Sequence, residues 1–162
     1  MQREARSRRI EVIRARPLAE LLECPLDTGL MLNGSAECIT FDAGEVLFRQ
    51  SGICRGIYLV LSGQLLRRAM RLETPLTLGP ARAGDLVELA AALGDGHHTY
   101  SLAAQTAGSA LMLPIETINL AFQSYPPLRM QLLEELAREV SRAYAACCLS
   151  RAVKPQRGVS AA

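Results

Sequence analysis

Residues Phe41 to Gly63 read F-D-A-G-E-V-L-F-R-Q-S-G-I-C-R-G-I-Y-L-V-L-S-G, and this stretch decides the fold. Short apolar runs alternate with glycines at the spacing of strands joined by tight turns. Gly44 and Gly52 fall where the chain must reverse. Gly63 closes the run Ile57 to Leu61, at a place where a positive φ is cheapest for glycine. The reading is therefore strand, turn, strand, turn, with strands at Val46 to Arg49 and Gly56 to Leu61.

Working outward, the same grammar continues. Strand-like pieces are expected at Cys38 to Phe41, Gln64 to Arg71, Pro75 to Leu78, Ser101 to Thr106 and Ala110 to Leu113. Many short strands with Gly-rich breaks predict a β-sandwich or barrel. On the N-terminal side, Ile10, Ile13, Leu18, Leu21 and Leu22 have a loose helical spacing interrupted by Pro17, which fits two short helices over residues 8–23. On the C-terminal side, Ile115 to Gln123 reads as a short helix. Pro126 and Pro127 then open a long one that continues to about Leu149.

Composition bounds what such a chain can be. Its 162 residues fit one domain, and 49% hydrophobic against 21% charged residues is globular. With 4% aromatics and no Trp, the core must be aliphatic. No run approaches the roughly 20 apolar residues of a membrane span. The start M-Q-R-E-A-R-S-R-R meets no apolar segment of a secretory signal, so a cytoplasmic protein is expected.

Net charge is only +2, yet Arg3, Arg6, Arg8, Arg9, Arg14 and Arg16 crowd the beginning. This defines a basic arm over residues 1–17, a domain over 18–150 that includes the helix 126–150, and a flexible tail over 151–162. The cysteines, at 24, 38, 54, 147 and 148, are odd in number and lack a C-x-x-C pair. Neither a disulfide framework nor a zinc knuckle is expected, and buried free thiols are. His97 and His98 are neighbours that would point to opposite faces of a strand, and there is no third histidine, so no metal site is expected. No nucleophile with its base, Walker loop or dinucleotide fingerprint is present, which points away from an enzyme.

The long helix carries Leu128, Leu132, Leu136, Val140, Ala143, Tyr144 and Cys147 at three- and four-residue steps, one apolar stripe. Between the strands and the helices lies G-D-L-V-E-L-A-A-A-L-G-D-G-H-H-T-Y-S-L-A-A, residues 84–104.

The glycine-strand pattern of 41–63 and this second segment together resemble the cyclic nucleotide-binding domain superfamily, specifically the sensor domain of catabolite-activator/FNR-type regulators. The resemblance implies an α+β fold: an antiparallel β-roll, or jelly-roll-like barrel, with N-terminal helices and a long C-terminal dimerisation helix. It implies a phosphate-binding cassette in which a G-E-[LI]-A segment begins a short helix and a Glu takes the ribose hydroxyl. In that cassette an R-[ST]-A segment supplies an arginine for the phosphate.

Gly84, Glu88, Leu89, Ala90, His98 and Thr99 match these positions, and Tyr144 is placed to stack on a base. Val87 replaces a glycine and His98 replaces the arginine. Loss of that charge-assisted bond is worth about 1.5 to 3 kcal/mol.

The resemblance thus implies a non-enzymatic sensor for a small anionic effector, with cyclic AMP or cyclic GMP as weak candidates. It would signal through a homodimer built on Leu128, Leu132, Leu136, Val140, Ala143 and Cys147. Two alternatives stay open: a ligand-independent interaction module, and a truncated transcription regulator acting through mixed dimers. The helix-turn-helix of full-length regulators does not follow the long helix, so sequence-specific DNA binding is not expected.

Overall fold

The computed structural model describes residues 17–152, with side chains up to residue 149. The basic arm expected over 1–17 thus lies, apart from Pro17, outside the described residues, as does the tail beyond 152. A helical turn at 17–21 (α1) leads into α2, Leu26–Ser35. Eight strands follow: β1 Glu37–Phe41, β2 Val46–Phe48, β3 Gly56–Ser62, β4 Gln64–Arg71, β5 Thr74–Arg82, β6 Leu86–Val87, β7 Ser101–Ala104 and β8 Gly108–Pro114. A short helix, α3 (Leu89–Leu93), separates β6 from β7, and α4 (Ile115–Ser124) and α5 (Pro127–Ala152) follow the last strand.

The strands form two four-stranded antiparallel sheets, ordered β1-β8-β3-β6 and β2-β7-β4-β5. Together with the helices they make the α+β roll that the sequence predicts. The chain passes from the first sheet to the second between β3 and β4, and the residue at that corner shows how. Gly63 has φ +83°, and a Cβ there would stand 2.7 Å from the carbonyl oxygen of Ala107. Only glycine fits this corner without a backbone shift.

Strand β3 is buried on both faces because its alternating side chains enter two different cores. Ile57 and Leu59 join Leu32, Leu89, Leu113, Ile118, Leu128 and Leu132 beneath the helices. Tyr58 and Val60 join Phe41, Phe48, Leu65, Val87, Leu102 and Met112 between the sheets. The first core docks the helices on the roll, and the second closes the roll on itself.

Three expectations are corrected. Helix α2 is absent from the sequence reading, because Gly29, Asn33 and Gly34 lower its intrinsic helicity; burial of Thr28, Gly29 and Leu32 holds it. Strand β5 runs well beyond Pro75 to Leu78, through Pro80. It is the edge of its sheet, where a missing N–H breaks no ladder. The apolar stripe of α5 divides: Leu128 and Leu132 are buried in the chain's own core, so these two are not available to a second copy, and the half-buried Leu136 packs against that core. Exposed on the helix are Met130, Leu133, Ala137, Val140 and Tyr144.

Candidate functional site

A cavity of about 480 Å³ opens between the second sheet and α5. Leu76 and Leu78 of β5 form one wall, and Leu136, Val140 and Ala143 of α5 the other. Arg67 and Arg71 reach it from β4, and Ala90, Thr99 and Tyr100 from the segment around α3 and β7. Tyr144, Cys147 and Cys148 line it towards the C-terminal end of the helix. The walls are apolar and the cations lie along one strand, two positions per repeat, so Arg67 and Arg71 share a face.

Arg67 is not free. Its Nε lies 3.3 Å from Glu139 Oε1, with both side chains almost fully buried, and its Nη1 donates to the carbonyl of Pro80 at 3.1 Å. Tyr100 donates its hydroxyl to the same Glu139 oxygen at 3.0 Å, and that hydroxyl oxygen accepts the backbone N–H of Glu88, also at 3.0 Å. A polar chain therefore runs from α5 through Tyr100 to the start of α3. Burial raises the Glu139 carboxyl above its ordinary range, opposed by the charge of Arg67 and the Tyr100 hydrogen bond. Burial also pushes the Tyr100 hydroxyl well up, and the carboxylate of Glu139 adds to it.

The residues assigned to the nucleotide by resemblance separate into two groups. Ala90, Thr99 and Tyr144 line the cavity. Gly84, Glu88, Leu89 and His98 do not. Gly84 sits in the turn between β5 and β6 with φ +93°, and Leu89 is a core residue. Glu88 is fully buried at the N-cap of α3, with φ 73°.

His98 is buried too, its ring stacked on Phe48 at 4.0 Å and its Nδ1 2.5 Å from Glu88 Oε2. Burial, with the charge of Glu139 second, lifts the Glu88 carboxyl to about 8. Burial lowers His98. At neutral pH the pair is therefore uncharged, with the acid of Glu88 donating to the imidazole. The histidine that takes the arginine's place in sequence faces its own glutamate rather than the cavity.

Sequence reasoning missed Arg67, Arg71 and Glu139 as cavity residues, because nothing local marks a partner 39 positions from Tyr100. It also missed a second constellation. Cys54, Glu88 and His98 bring a thiol, a carboxylate and an imidazole within 4.8 Å of one another. Of the cysteines expected to be buried, Cys54 is; Cys38 and Cys148 are exposed.

The matching family model is that of the cyclic nucleotide-binding domain, over residues 38–125, and the chain belongs to this family. No curated protein matches it. Among solved structures it is similar to the sensor domain of the transcriptional regulator DNR from Pseudomonas aeruginosa. That likeness has a TM-score of 0.70 and 16% identity, over 94% of this chain and 99% of that one.

The catabolite activator protein of Thermus thermophilus aligns with a TM-score of 0.65 and 23% identity, over 79% of this chain and 60% of the activator. The c-di-GMP responsive global regulator CLP of Xanthomonas campestris aligns with a TM-score of 0.62 and 18% identity, over 79% and 63%. These likenesses establish the fold. The chain spans under two thirds of the latter two proteins. Among the described residues, no helix is long and apolar enough to cross a membrane.

Proposed function

We propose that this chain is a non-enzymatic cytoplasmic sensor module that binds a small anionic effector in the cavity and passes its occupancy to α5. The observation that carries this reading is the make-up of the cavity: apolar walls shared between roll and helix, with Arg67 and Arg71 along one side. An anion there meets Arg71 directly and competes with Glu139 for Arg67. Since Glu139 belongs to α5, that competition alters how the helix sits on the sheet. Helix α5 then pairs with a second copy through Met130, Leu133, Ala137, Val140 and Tyr144, exposed residues at three- and four-residue steps. Val140 and Tyr144 also line the cavity, so effector and partner share residues.

Cyclic AMP and cyclic GMP are weak ligands in this reading, because Glu88 and His98 are spent on each other. Calorimetry with cyclic AMP, cyclic GMP and cyclic di-GMP tests it, alongside thermal-shift screening of apolar carboxylates and phosphates. An anionic ligand should bind wild-type protein and lose about tenfold or more in affinity in Arg71→Ala, the loss of a charge-assisted hydrogen bond. Binding unchanged by that substitution, or no stabilisation by any anion in the screen, overturns it. A ligand-independent interaction module is the second reading, favoured by Glu139 already occupying Arg67.

A further inference from the structure

The cluster of Cys54, Glu88 and His98 takes no part in lining the effector cavity, yet it has the donor set of a metal site. Its sulfur, oxygen and nitrogen atoms lie within 4.8 Å of one another, and all three residues are nine-tenths or more buried. Donors around a tetrahedral zinc, at about 2.0 to 2.3 Å from the ion, are themselves roughly 3.2 to 3.8 Å apart. To hold an ion, the His98 Nδ1 and Glu88 Oε2 pair, 2.5 Å apart, would open while the more distant donor draws in, each by about an ångström.

A second observation points the same way. Glu88 is fully buried, and although the Tyr100 hydroxyl acts on its carboxyl, Oε1 makes no hydrogen bond of ordinary geometry and so has acceptor capacity to spare.

The backbone around the trio is laced together. Cys54 N–H donates to the Gly96 carbonyl at 2.7 Å, His98 N–H to Gly52 at 2.8 Å, and Ser51 N–H to His98 at 2.8 Å. Phe48, stacked on the His98 ring, fixes its plane. Donors held by such a frame are presented rather than gathered, as metal sites require.

We propose that Cys54, Glu88 and His98 bind one divalent first-row metal ion, zinc foremost, where the backbone of 51–54, the start of α3 and the backbone of 96–98 meet. The charges close. A thiolate and a carboxylate supply two negative charges against two positive ones, and the imidazole is neutral, so the buried site carries no net charge. Uptake of one ion expels two protons, one from the Cys54 thiol and one shared by Glu88 and His98, with no change of oxidation state. The mixed S, N and O set favours zinc over calcium or magnesium, which take oxygen ligands. Three protein donors leave a fourth position for water or an exogenous ligand. Since the Glu88 N–H leads through Tyr100 to Glu139, metal occupancy is relayed towards α5.

The test uses the full chain, reduced and stripped with chelator, then refolded with or without one equivalent of Zn²⁺ or Co²⁺, because a buried site fills most readily as the chain folds. Expected are one ion retained through gel filtration, a thiolate-to-cobalt charge-transfer band, two protons released per ion and a raised melting temperature. Ca²⁺ and Mg²⁺ should give none of these. Cys54→Ser should abolish the band and weaken zinc binding about tenfold or more, whereas Cys147→Ser with Cys148→Ser should leave both unchanged. A folded wild-type protein that retains no ion, or a band that survives Cys54→Ser, overturns the proposal. If Cys54→Ser does not fold, the wild-type stoichiometry, band and proton count decide alone.

Discussion

Glu139, from the C-terminal helix, places its Oε1 3.3 Å from the Nε of Arg67, in the wall of the cavity between the second sheet and α5. The helix thus carries a carboxylate into the position where an anionic ligand would seek a cation. Two nearly buried charges are costly unless they have each other.

The first prediction tests this pair. Glu139→Leu leaves Arg67 buried without its counter-charge and should cost about 3 kcal/mol or more, read by urea unfolding. Adding Arg67→Met should recover most of the loss, because an apolar pair of similar volume needs no compensation. A double variant whose deficit equals the sum of the two single ones would show that the charges do not interact.

The second concerns pH and the same carboxyl. Arg67 and Tyr100 face Glu139 from the roll, and Arg142 and Glu135 act on it from its own helix. Its folded value is raised above 4.5, chiefly by burial. A raised carboxyl stabilises fully below its unfolded value, and this contribution is lost as pH rises through the folded value. Stability of wild-type protein relative to Glu139→Gln should therefore fall as pH increases from about 4.5 towards neutrality. A difference that grows with pH would mean that Arg67 outweighs burial.

The fold was legible where its causes are local. Runs such as Ile57 to Leu61 announce a strand, and Gly63 announces the corner after it. The site was legible in part. Ala90 and Thr99 line the cavity because the segment that contains them runs past it, and Tyr144 does because α5 forms its other wall. Where side chains point is another matter. His98 turns inward because Phe48 offers a stacking face and Glu88, ten residues away, a hydrogen bond. Cys54 joins them only through the bridge between Ile53 and His97, which no linear motif encodes.

The third prediction separates the two faces of α5. Wild-type protein should scatter light as a dimer, and Leu133→Glu, on the exposed face, should give a folded monomer. Leu132→Ala should lose about 2 to 5 kcal/mol of stability while leaving the association of the folded protein intact, since Leu132 fills the chain's own core. A wild-type monomer at micromolar concentration would remove the helix pairing and leave α5 as a cover for its own cavity.

The fourth compares two glycines of opposite character. At Gly56, in β3, a Cβ would collide with the carbonyl oxygen of Leu113 and stand 2.9 Å from the Met112 sulfur. The first neighbour is backbone in a paired strand, so it cannot rotate away, and room is made only by parting β3 from β8 where Gly56 faces Pro114. At Gly34, near the end of α2, nothing lies within 4 Å of the added carbon. Alanine there gains helix propensity and restricts the unfolded chain, for a gain of up to about 1 kcal/mol. Gly34→Ala should therefore melt at or above wild type. Gly56→Ala should melt far below it, with loss of the β-sheet signal in circular dichroism under conditions where wild type is folded. Equal melting temperatures for Gly56→Ala and wild type would mean that the two strands are not held as closely as the register between Gly56 and Pro114 requires.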